Sequence, residues 1–418
     1  MKMLKTVTLG AIALSTIGAM SAADTVIKIT GSTAFRAATY AAIVNTLPSP
    51  KVVFFGNSSL AKASQATFVS GTAGNQTIVQ CCFAGSVGGI NWLVNNTNVA
   101  TSLTALDTQA WLKTTGATAV STSGSGTGLT FVGGAQAATA TYDDAAPANV
   151  TMSDSLQDST AFDSGTTGVT LIDTQVGIVP FAFIKGLAVH PSITNAGSLT
   201  NISPLAFQAL ASSGKVPMSW LTGASTDVGY DVLLAGRDSD SGTRLAAFAE
   251  TAFGVFSTPT QYIVNGSYTA TSSAAVTINN VTAINDADLG IASGGTVKNL
   301  IASSISATAT DAAGKLSTAT GYRPYMFVSY VGIGDVGTNT KLTYAGVPYT
   351  EANVQNGLYT FWTYEHLLYR SDIDSTVKTS VDAIAVKLKS TYANVSGILD
   401  DANMKVKRYS EGGSLVSK

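Results

Sequence analysis

Charged side chains are scarce in this sequence, and the residues that usually perform acid–base chemistry are scarcer. Aspartate, glutamate, lysine and arginine make up 11% of the 418 residues, and the net charge is −2. The usual charged share is roughly 25%, and a generic nucleic-acid-binding protein would be basic. The only two histidines are His190 and His366. A Ser–His–Asp triad would have to use one of them, and neither lies in a recognisable motif.

Cysteine is also rare, with only Cys81 and Cys82 in the chain. Neighbouring cysteines rarely bond to each other because the geometry is strained, so a disulfide framework is excluded. A metal site would need further ligands that the two histidines hardly supply. We therefore expect no metal and no cofactor, and we expect both cysteines to be core or strand residues.

Long hydrophobic runs are missing as well, because no segment has 18 uninterrupted apolar residues. Two lysines precede the short apolar stretch Thr6–Met20, and the small residues Ser21–Ala23 follow it. This order is typical of a secretory signal peptide, predicted over residues 1–23 with cleavage after Ala22 or Ala23. The stretch is too short for a membrane anchor. We expect a soluble mature protein that is periplasmic or secreted and does not span a membrane.

Several catalytic and nucleotide-binding motifs are absent: the P-loop, the H-E-x-x-H zinc motif and the G-x-S-x-G nucleophile elbow. The segment Gly332–Gly337 matches G-x-G-x-x-G, but no helix pattern follows it, and a glycine-rich turn is the better interpretation. The chain offers many hydrogen-bond donors for anions and few acid–base groups. This balance favours a binding protein over an enzyme.

What the sequence does contain is a strand, a polar loop and a helix over residues 232–250. The helix start leaves backbone N–H groups free at the positive end of the helix dipole. Ser241 and Thr243 add hydroxyl donors, Gly242 allows close approach to the backbone, and Arg237 adds a permanent cation. Together these groups suit a tetrahedral oxyanion.

The same loop has two plainer interpretations. It could be a polar turn whose arginine pairs with Asp238 or Asp240. It could also be a calcium loop, but counting from Asp238 the sixth and twelfth positions hold Thr243 and Ala249 instead of glycine and glutamate. The EF-hand is rejected, and the polar turn stays open as the alternative.

Two further stretches repeat the strand–small-residue–helix order. Gly31–Phe35 lies between a strand at Thr25–Thr30 and a helix at Arg36–Val44, and Gly85–Gly89 precedes a helix expected from Ile90. One such turn is weak evidence. Three turns that each present a helix N-terminus predict an anion pocket.

The remaining chain alternates strand and helix patterns, which predicts an α/β fold. Strands are expected at 150–156, 177–184, 322–331 and 356–369, and helices at 203–212, from Val297 and at 373–393. Pro180 suggests an edge or crossover position for its strand. Residues of about 101–148 and 257–290 are rich in threonine, serine and small residues and are interpreted as insertions, the first with short strands or a hairpin.

With these motifs in view, the chain resembles the phosphate-binding proteins of bacterial ABC-type phosphate importers. The strongest match is Arg237-x-x-x-Ser241-Gly242-Thr243, which resembles the family's R-x-D-x-S-G-T loop with Ser239 in the place of its aspartate. The resemblance implies that these four residues bind phosphate.

Three other segments extend the resemblance. Gly31–Phe35 is similar to the first phosphate loop, with Ser32, Thr33 and Ala34 all candidates because the register is open by one residue. Gly85–Gly89 is similar to the G-S-S-G-G turn, which implies Ser86 as a ligand. The strand from Val150 resembles one that ends in S-D, which implies Asp154 as the acceptor of a phosphate proton. The alternative for Asp154 is an ordinary turn residue or helix cap.

The family's fold is the two-lobed, type II periplasmic-binding-protein architecture. The resemblance implies one lobe of residues 24–176 and 326–418, with the insertion at about 101–148, and a second lobe of 177–325, with the insertion at about 257–290. It implies capture of inorganic phosphate, or a similar oxyanion, for the membrane permease of an ABC importer. The alternative function is a secreted or surface protein for structure or adhesion on the same fold.

Overall fold

The structure is a computed structural model that describes residues 23–95, 111–143, 146–392, 395 and 397–418. The predicted signal peptide, apart from its last residue, lies outside the described residues, as does part of the first predicted insertion. The helices in the described ranges are α1 (Arg36–Thr46), α2 (Ser86–Asn95), α3 (Ser164–Thr167), α4 (Pro204–Ser213), α5 (Met218–Thr222), α6 (Gly242–Glu250), α7 (Gly294–Ile301), α8 (Glu351–Gln355) and α9 (Ser375–Thr391).

The strands are β1 (Thr25–Gly31), β2 (Lys51–Phe55), β3 (Gln65–Thr72), β4 (Asn75–Cys82), β5 (Thr118–Ser123), β6 (Thr130–Gly133), β7 (Ala135–Gln136), β8 (Val150–Ser153), β9 (Leu171–Lys185), β10 (Asn201–Ile202), β11 (Lys215–Pro217), β12 (Asp231–Leu234), β13 (Thr260–Val264), β14 (Thr277–Ile278), β15 (Val281–Asn285), β16 (Ser304–Ile305), β17 (Tyr325–Gly332), β18 (Thr340–Lys341), β19 (Thr343–Tyr344), β20 (Trp362–Arg370), β21 (Val406–Lys407) and β22 (Val416–Ser417).

The main sheet runs in the order β11-β12-β17-β9-β20-β8-β1-β4-β3-β2-β5-β6, with β18 added on β9 and β7 on β2. Strand β9 divides it. Leu171–Pro180 pairs antiparallel with β20, and Phe181–Ile184 pairs with β17. We call β20, β8, β1, β4, β3 and β2 the first sheet region, and β17, β12 and β11 the second. Helices and a large mixed sheet together confirm the predicted α/β class.

The described residues form three buried apolar clusters, and two of them pack on the strands that lead to the site. The larger one holds α1 and α9 against β1 and β9, and it continues through Phe181 and Phe183 to Phe361, whose ring stacks on that of Phe183 at a centroid distance of 4.9 Å. The smaller one packs α7 on β17. Full burial of an aromatic side chain contributes about 1.5–3 kcal/mol to the free energy of unfolding. Both clusters therefore hold in place the strand ends at which the site loops begin.

Several predicted boundaries differ from the structure. Helix α2 begins at Ser86 and not at Ile90, because the carbonyl of Asp240 accepts hydrogen bonds from the first-turn amides of α2. Helix α7 begins at Gly294 and not at Val297, because the hydroxyl of Ser293 caps it. Strand β20 begins at Trp362, six residues after the predicted start.

Pro180 does not lie at a sheet edge. It is the last residue of β9 that pairs with β20, and the next residue, Phe181, pairs with β17. Cys81 and Cys82 are buried, unbonded residues at the end of β4, as predicted. The predicted hairpin is present as β5 and β6.

Among the described residues, no helix is long and apolar enough to cross a membrane. Within the same ranges, no group of three or more histidine, cysteine, aspartate or glutamate side chains is arranged to hold a metal ion.

Candidate functional site

The first predicted loop leaves the sheet at the end of β1. Gly31 has φ of 107°, and a β-carbon there would lie 1.9 Å from the carbonyl oxygen of Met152, so glycine is required. The amide of Ser32 donates to the same carbonyl at 2.7 Å. The Ser32 hydroxyl is buried, lies near the carboxyl group of Glu365, and makes no well-aligned hydrogen bond within the described residues. Thr33 and Ala34 follow and are partly exposed.

Ser86 and Asp154 are brought to the same edge by strand direction. Strand β1 pairs in parallel with β4 on one side and with β8 on the other. The carboxyl ends of parallel strands meet at one sheet edge, which is where polar loop residues converge. The amide of Asp154 donates to the Ser86 hydroxyl at 3.2 Å, and both residues are at most 2% exposed. The predicted juxtaposition of these loops is therefore present.

The cation comes from the second sheet region. After β12, Arg237 is 3% exposed, and its Nε and Nη2 donate to the carbonyls of Ile291 at 2.9 Å and Ala292 at 2.8 Å. These bonds hold the guanidinium in one orientation while it keeps its charge. The hydroxyl of Ser241 caps α6 by accepting a hydrogen bond from the amide of Arg244 at 3.2 Å.

The loops of the two sheet regions touch. The carbonyl oxygen of Asp240 accepts from the amides of Val87 at 3.0 Å and Gly88 at 3.4 Å, at the start of α2. A β-carbon at Gly242 would lie 1.6 Å from Oδ1 of Asp154. Asp154 thus lies directly against the start of α6, beside the buried Thr243.

Asp154 has an unusual ionisation. Burial raises its pKa to about 6, against the Ser86 hydroxyl and the charge of Arg237, which both lower it. Its Oδ1 has no hydrogen-bond partner among the described residues. The group is therefore mainly a hydrogen-bond acceptor at neutral pH and becomes a donor in mild acid.

The sequence analysis missed a second carboxyl group in this place. Glu365 in β20 is fully buried, and neither carboxyl oxygen makes a well-aligned hydrogen bond within the described residues. Burial raises its pKa well above the usual range, the charge of Asp154 raises it further, and the nearby Ser32 hydroxyl lowers it. Glu365 pairs with Gly177 across the sheet, and a β-carbon added at Gly177 would lie 3.0 Å from the Phe35 ring. The Glu365 side chain thus lies beneath the first loop. In the sequence, the one indication of this residue was a single acidic side chain within a segment rich in aromatic residues.

Arg244 was missed as well. It is 5% exposed, its Nη1 donates to the carbonyl of Arg237 at 3.3 Å, and its guanidinium lies over the Phe248 ring at 5.1 Å. A second buried cation therefore supports the backbone of the first one. The signal was an arginine directly after Ser-Gly-Thr, at the start of a helix.

No protein-family model and no curated protein matches the chain. The chain is similar to several solved structures. A candidate phosphate ABC transporter substrate-binding protein from Clostridium perfringens, solved with bound phosphate, is 12% identical, with 90% of this chain and 99% of that chain covered and a TM-score of 0.44. An ABC-type phosphate transport receptor from Vibrio cholerae is 13% identical, with 88% and 99% covered and a TM-score of 0.40. PstS from Borrelia burgdorferi is 13% identical, with 90% and 98% covered and a TM-score of 0.36.

Proposed function

We propose that this protein is an extracytoplasmic solute-binding protein that captures inorganic phosphate and delivers it to the permease of an ABC importer. The ligand would lie between two lobes, one of residues 24–176 with 326–418 and one of 177–325. The proposed ligand residues are those of the sequence analysis: Ser32, Thr33, Ala34, Ser86, Asp154, Arg237, Ser241, Gly242 and Thr243. No catalytic step is part of this function.

The observation that carries the proposal is the convergence of Asp154, Ser86 and the start of α6 around buried polar groups. A buried arginine, hydroxyl donors and the start of α6 suit a tetrahedral oxyanion. Asp154 suits an oxyanion that still carries a proton, because its carboxylate can accept that hydrogen bond. Phosphate and arsenate carry such a proton near neutral pH, and sulfate does not.

The test is a calorimetric titration of the purified protein with phosphate, arsenate and sulfate at pH 7. We expect phosphate and arsenate to bind and sulfate to bind much more weakly. An absence of phosphate binding would contradict the proposal. Equal affinities for phosphate and sulfate would retain an anion site and remove the proton-accepting role of Asp154.

The transport role needs a separate experiment, since capture alone does not require a permease. Deleting the gene from the source bacterium should reduce uptake of radiolabelled phosphate at low external concentration. Uptake that equals the parent strain's, with phosphate binding intact in vitro, would favour a secreted protein without a transport role.

A further inference from the structure

The buried Glu365 lies where the proposed site meets the sheet. In β20, His366 lies opposite Ser153 of the antiparallel strand β8. The same register, continued by one residue, places Glu365 opposite Asp154. On the other side of β20, Val176 is an extra residue of β9 between the partners of Glu365 and His366. Such a bulge changes the direction of neighbouring side chains and is common next to functional sites.

The carboxyl group of Glu365 has no counter-ion. The residue is fully buried, and it forms no ion pair with a lysine, arginine or histidine of the described residues. An ionised carboxylate in such a place costs far more free energy than the neutral acid does. Burial and the charge of Asp154 both raise the pKa of Glu365. Glu365 therefore carries a proton at neutral pH, and a protonated carboxyl group can donate one hydrogen bond.

The Ser32 hydroxyl is placed to accept this hydrogen bond. It lies near the Glu365 carboxyl group, it is buried as well, and neither group makes a well-aligned hydrogen bond within the described residues. The backbone of Ser32 is already held, because its amide donates to the carbonyl of Met152 at 2.7 Å. What remains to be fixed is the direction of the hydroxyl proton. A hydroxyl can accept one hydrogen bond and donate another at the same time.

We propose that Glu365 is a positioning residue, which donates a hydrogen bond to the Ser32 hydroxyl so that this hydroxyl donates to the bound oxyanion. The inference rests on the proposed function, because Ser32 is a proposed phosphate ligand. The two buried carboxyl groups then have opposite roles: Asp154 accepts the proton of the ligand, and Glu365 acts as a neutral donor through Ser32. An ionised Glu365 would instead attract the Ser32 proton and repel the anion.

The first test is a calorimetric titration of the purified protein with inorganic phosphate at pH 7. Glu365→Met keeps the approximate shape of the side chain but cannot donate, and we expect it to weaken phosphate binding about fivefold, the worth of one neutral hydrogen bond. Glu365→Gln should stay within about twofold of the wild type, because its amide can donate to the Ser32 hydroxyl. If Glu365→Gln binds about tenfold more tightly than the wild type, Glu365 is ionised and the proposal is wrong.

A double-mutant cycle separates positioning from a structural role. Ser32→Ala removes the hydroxyl and should weaken phosphate binding about tenfold, since a hydrogen bond to a charged ligand is lost. If Glu365 acts through Ser32, Glu365→Met should cause no further loss in the Ser32→Ala background. If Glu365 only supports the core, the same loss should appear in both backgrounds, which would contradict the proposal.

Gln80→Met is the matched control. Gln80 is 1% exposed in β4, and its Nε2 donates to the carbonyl of Leu112 at 3.1 Å. Its partner in β1 is Lys28, so Gln80 lies inside the first sheet region and not in the site loops. The change also replaces a buried polar side chain by methionine, and it should leave phosphate affinity unchanged. A loss as large as that of Glu365→Met would assign both losses to disturbance of the sheet and overturn the proposal.

The outcomes distinguish this inference from the proposed function. If the wild type binds phosphate and Glu365→Met binds it equally well, the inference is wrong and the proposed function stands. If the wild type does not bind phosphate, the proposed function is wrong and the inference fails with it.

Discussion

The two sheet regions bring opposite chemistry to the place where their loops meet. The first region brings two buried carboxyl groups, Asp154 and Glu365, together with the hydroxyls of Ser32 and Ser86. The second brings the buried arginines Arg237 and Arg244 and the start of α6. A site made only of cations and amides would bind any small anion. If the proposed site binds an anion, carboxyl groups on one side should disfavour an anion that has no proton to share, and the asymmetry would then give selectivity.

The largest expected effect comes from removing the cation of the second region. Arg237→Ala should weaken phosphate binding at least about 100-fold, since losing a charged partner in a buried site costs about 3 kcal/mol. Arg237→Lys should also weaken binding, because an ammonium cannot present the planar fork. Calorimetry measures both.

Arg323→Ala is the control for this prediction. Arg323 belongs to the same region but pairs with Asp231 at 2.7 Å, and its side chain is 37% exposed. Its removal should leave phosphate affinity unchanged. Wild-type affinity in Arg237→Ala would show that this arginine only holds the loop.

The next effect concerns the carboxyl groups of the first region and the stability of the ligand-free protein. The pKa of Asp154 is raised to about 6. Its stabilising contribution is therefore complete below about pH 4, the ordinary pKa of an aspartate, and is lost as the pH rises to about 6. Two pKa units correspond to about 3 kcal/mol. In urea unfolding, the free energy of unfolding of Asp154→Asn, relative to that of the wild type, should therefore rise by about 3 kcal/mol between pH 4 and pH 7.

Glu365→Gln extends this comparison. The raised pKa of Glu365 predicts the same direction, with stability lost as the pH rises above the ordinary glutamate range. The amide keeps the shape and stays neutral, so the variant should hold its stability at alkaline pH better than the wild type. Identical pH profiles for the two proteins would mean that Glu365 is hydrated or paired.

A smaller effect concerns selectivity between anions. Asp154→Asn replaces an acceptor by an amide that can also donate, so the repulsion of sulfate should fall. We expect the ratio of phosphate to sulfate affinity to drop by about tenfold, the size of one hydrogen bond to a charged group. Titrations of both proteins with both anions measure this ratio. An unchanged ratio would assign discrimination to another group.

The smallest effect separates capping from binding. Ser241→Ala should destabilise the protein by about 1 kcal/mol, because Ser241 caps α6. Ser203→Ala should cost a similar amount, since Ser203 caps α4. Only the first change should also weaken phosphate binding. Equal binding by both variants would restrict Ser241 to its structural role.

Much of the site's framework could be predicted from local pattern. The strand before Ser32, the loop after β12 and the capping serine of α6 all follow from the order of apolar and small polar residues. The start of α7 was missed although its capping residue, Ser293, directly precedes the helix. The start of α2 could not be predicted, because the partner of its first-turn amides is the carbonyl of Asp240, far away in sequence. Local propensity contains no information on such a contact.

Glu365 shows that local sequence pattern also fails to predict some of the chemical groups of the site. Its residue type was visible in an aromatic run, but its place beneath the first loop depends on the pairing of β20 with β9 opposite Gly177. That register is a property of two strands separated by most of the second half of the chain. The proposed phosphate ligands, by contrast, belong to loops whose composition is itself the signal, and their role in binding stays a prediction.

The position of β20 between β8 and β9 has a consequence for how the chain folds. Both neighbouring strands precede it by a long stretch of sequence, so the sheet stays split, with two unpaired strand edges, until Trp362–Arg370 is available. Such non-local closure is slow, and open edges are prone to pair with other chains. We expect truncation before β20 to yield an aggregating product, and we expect folding of the intact chain to wait for nearly its whole length.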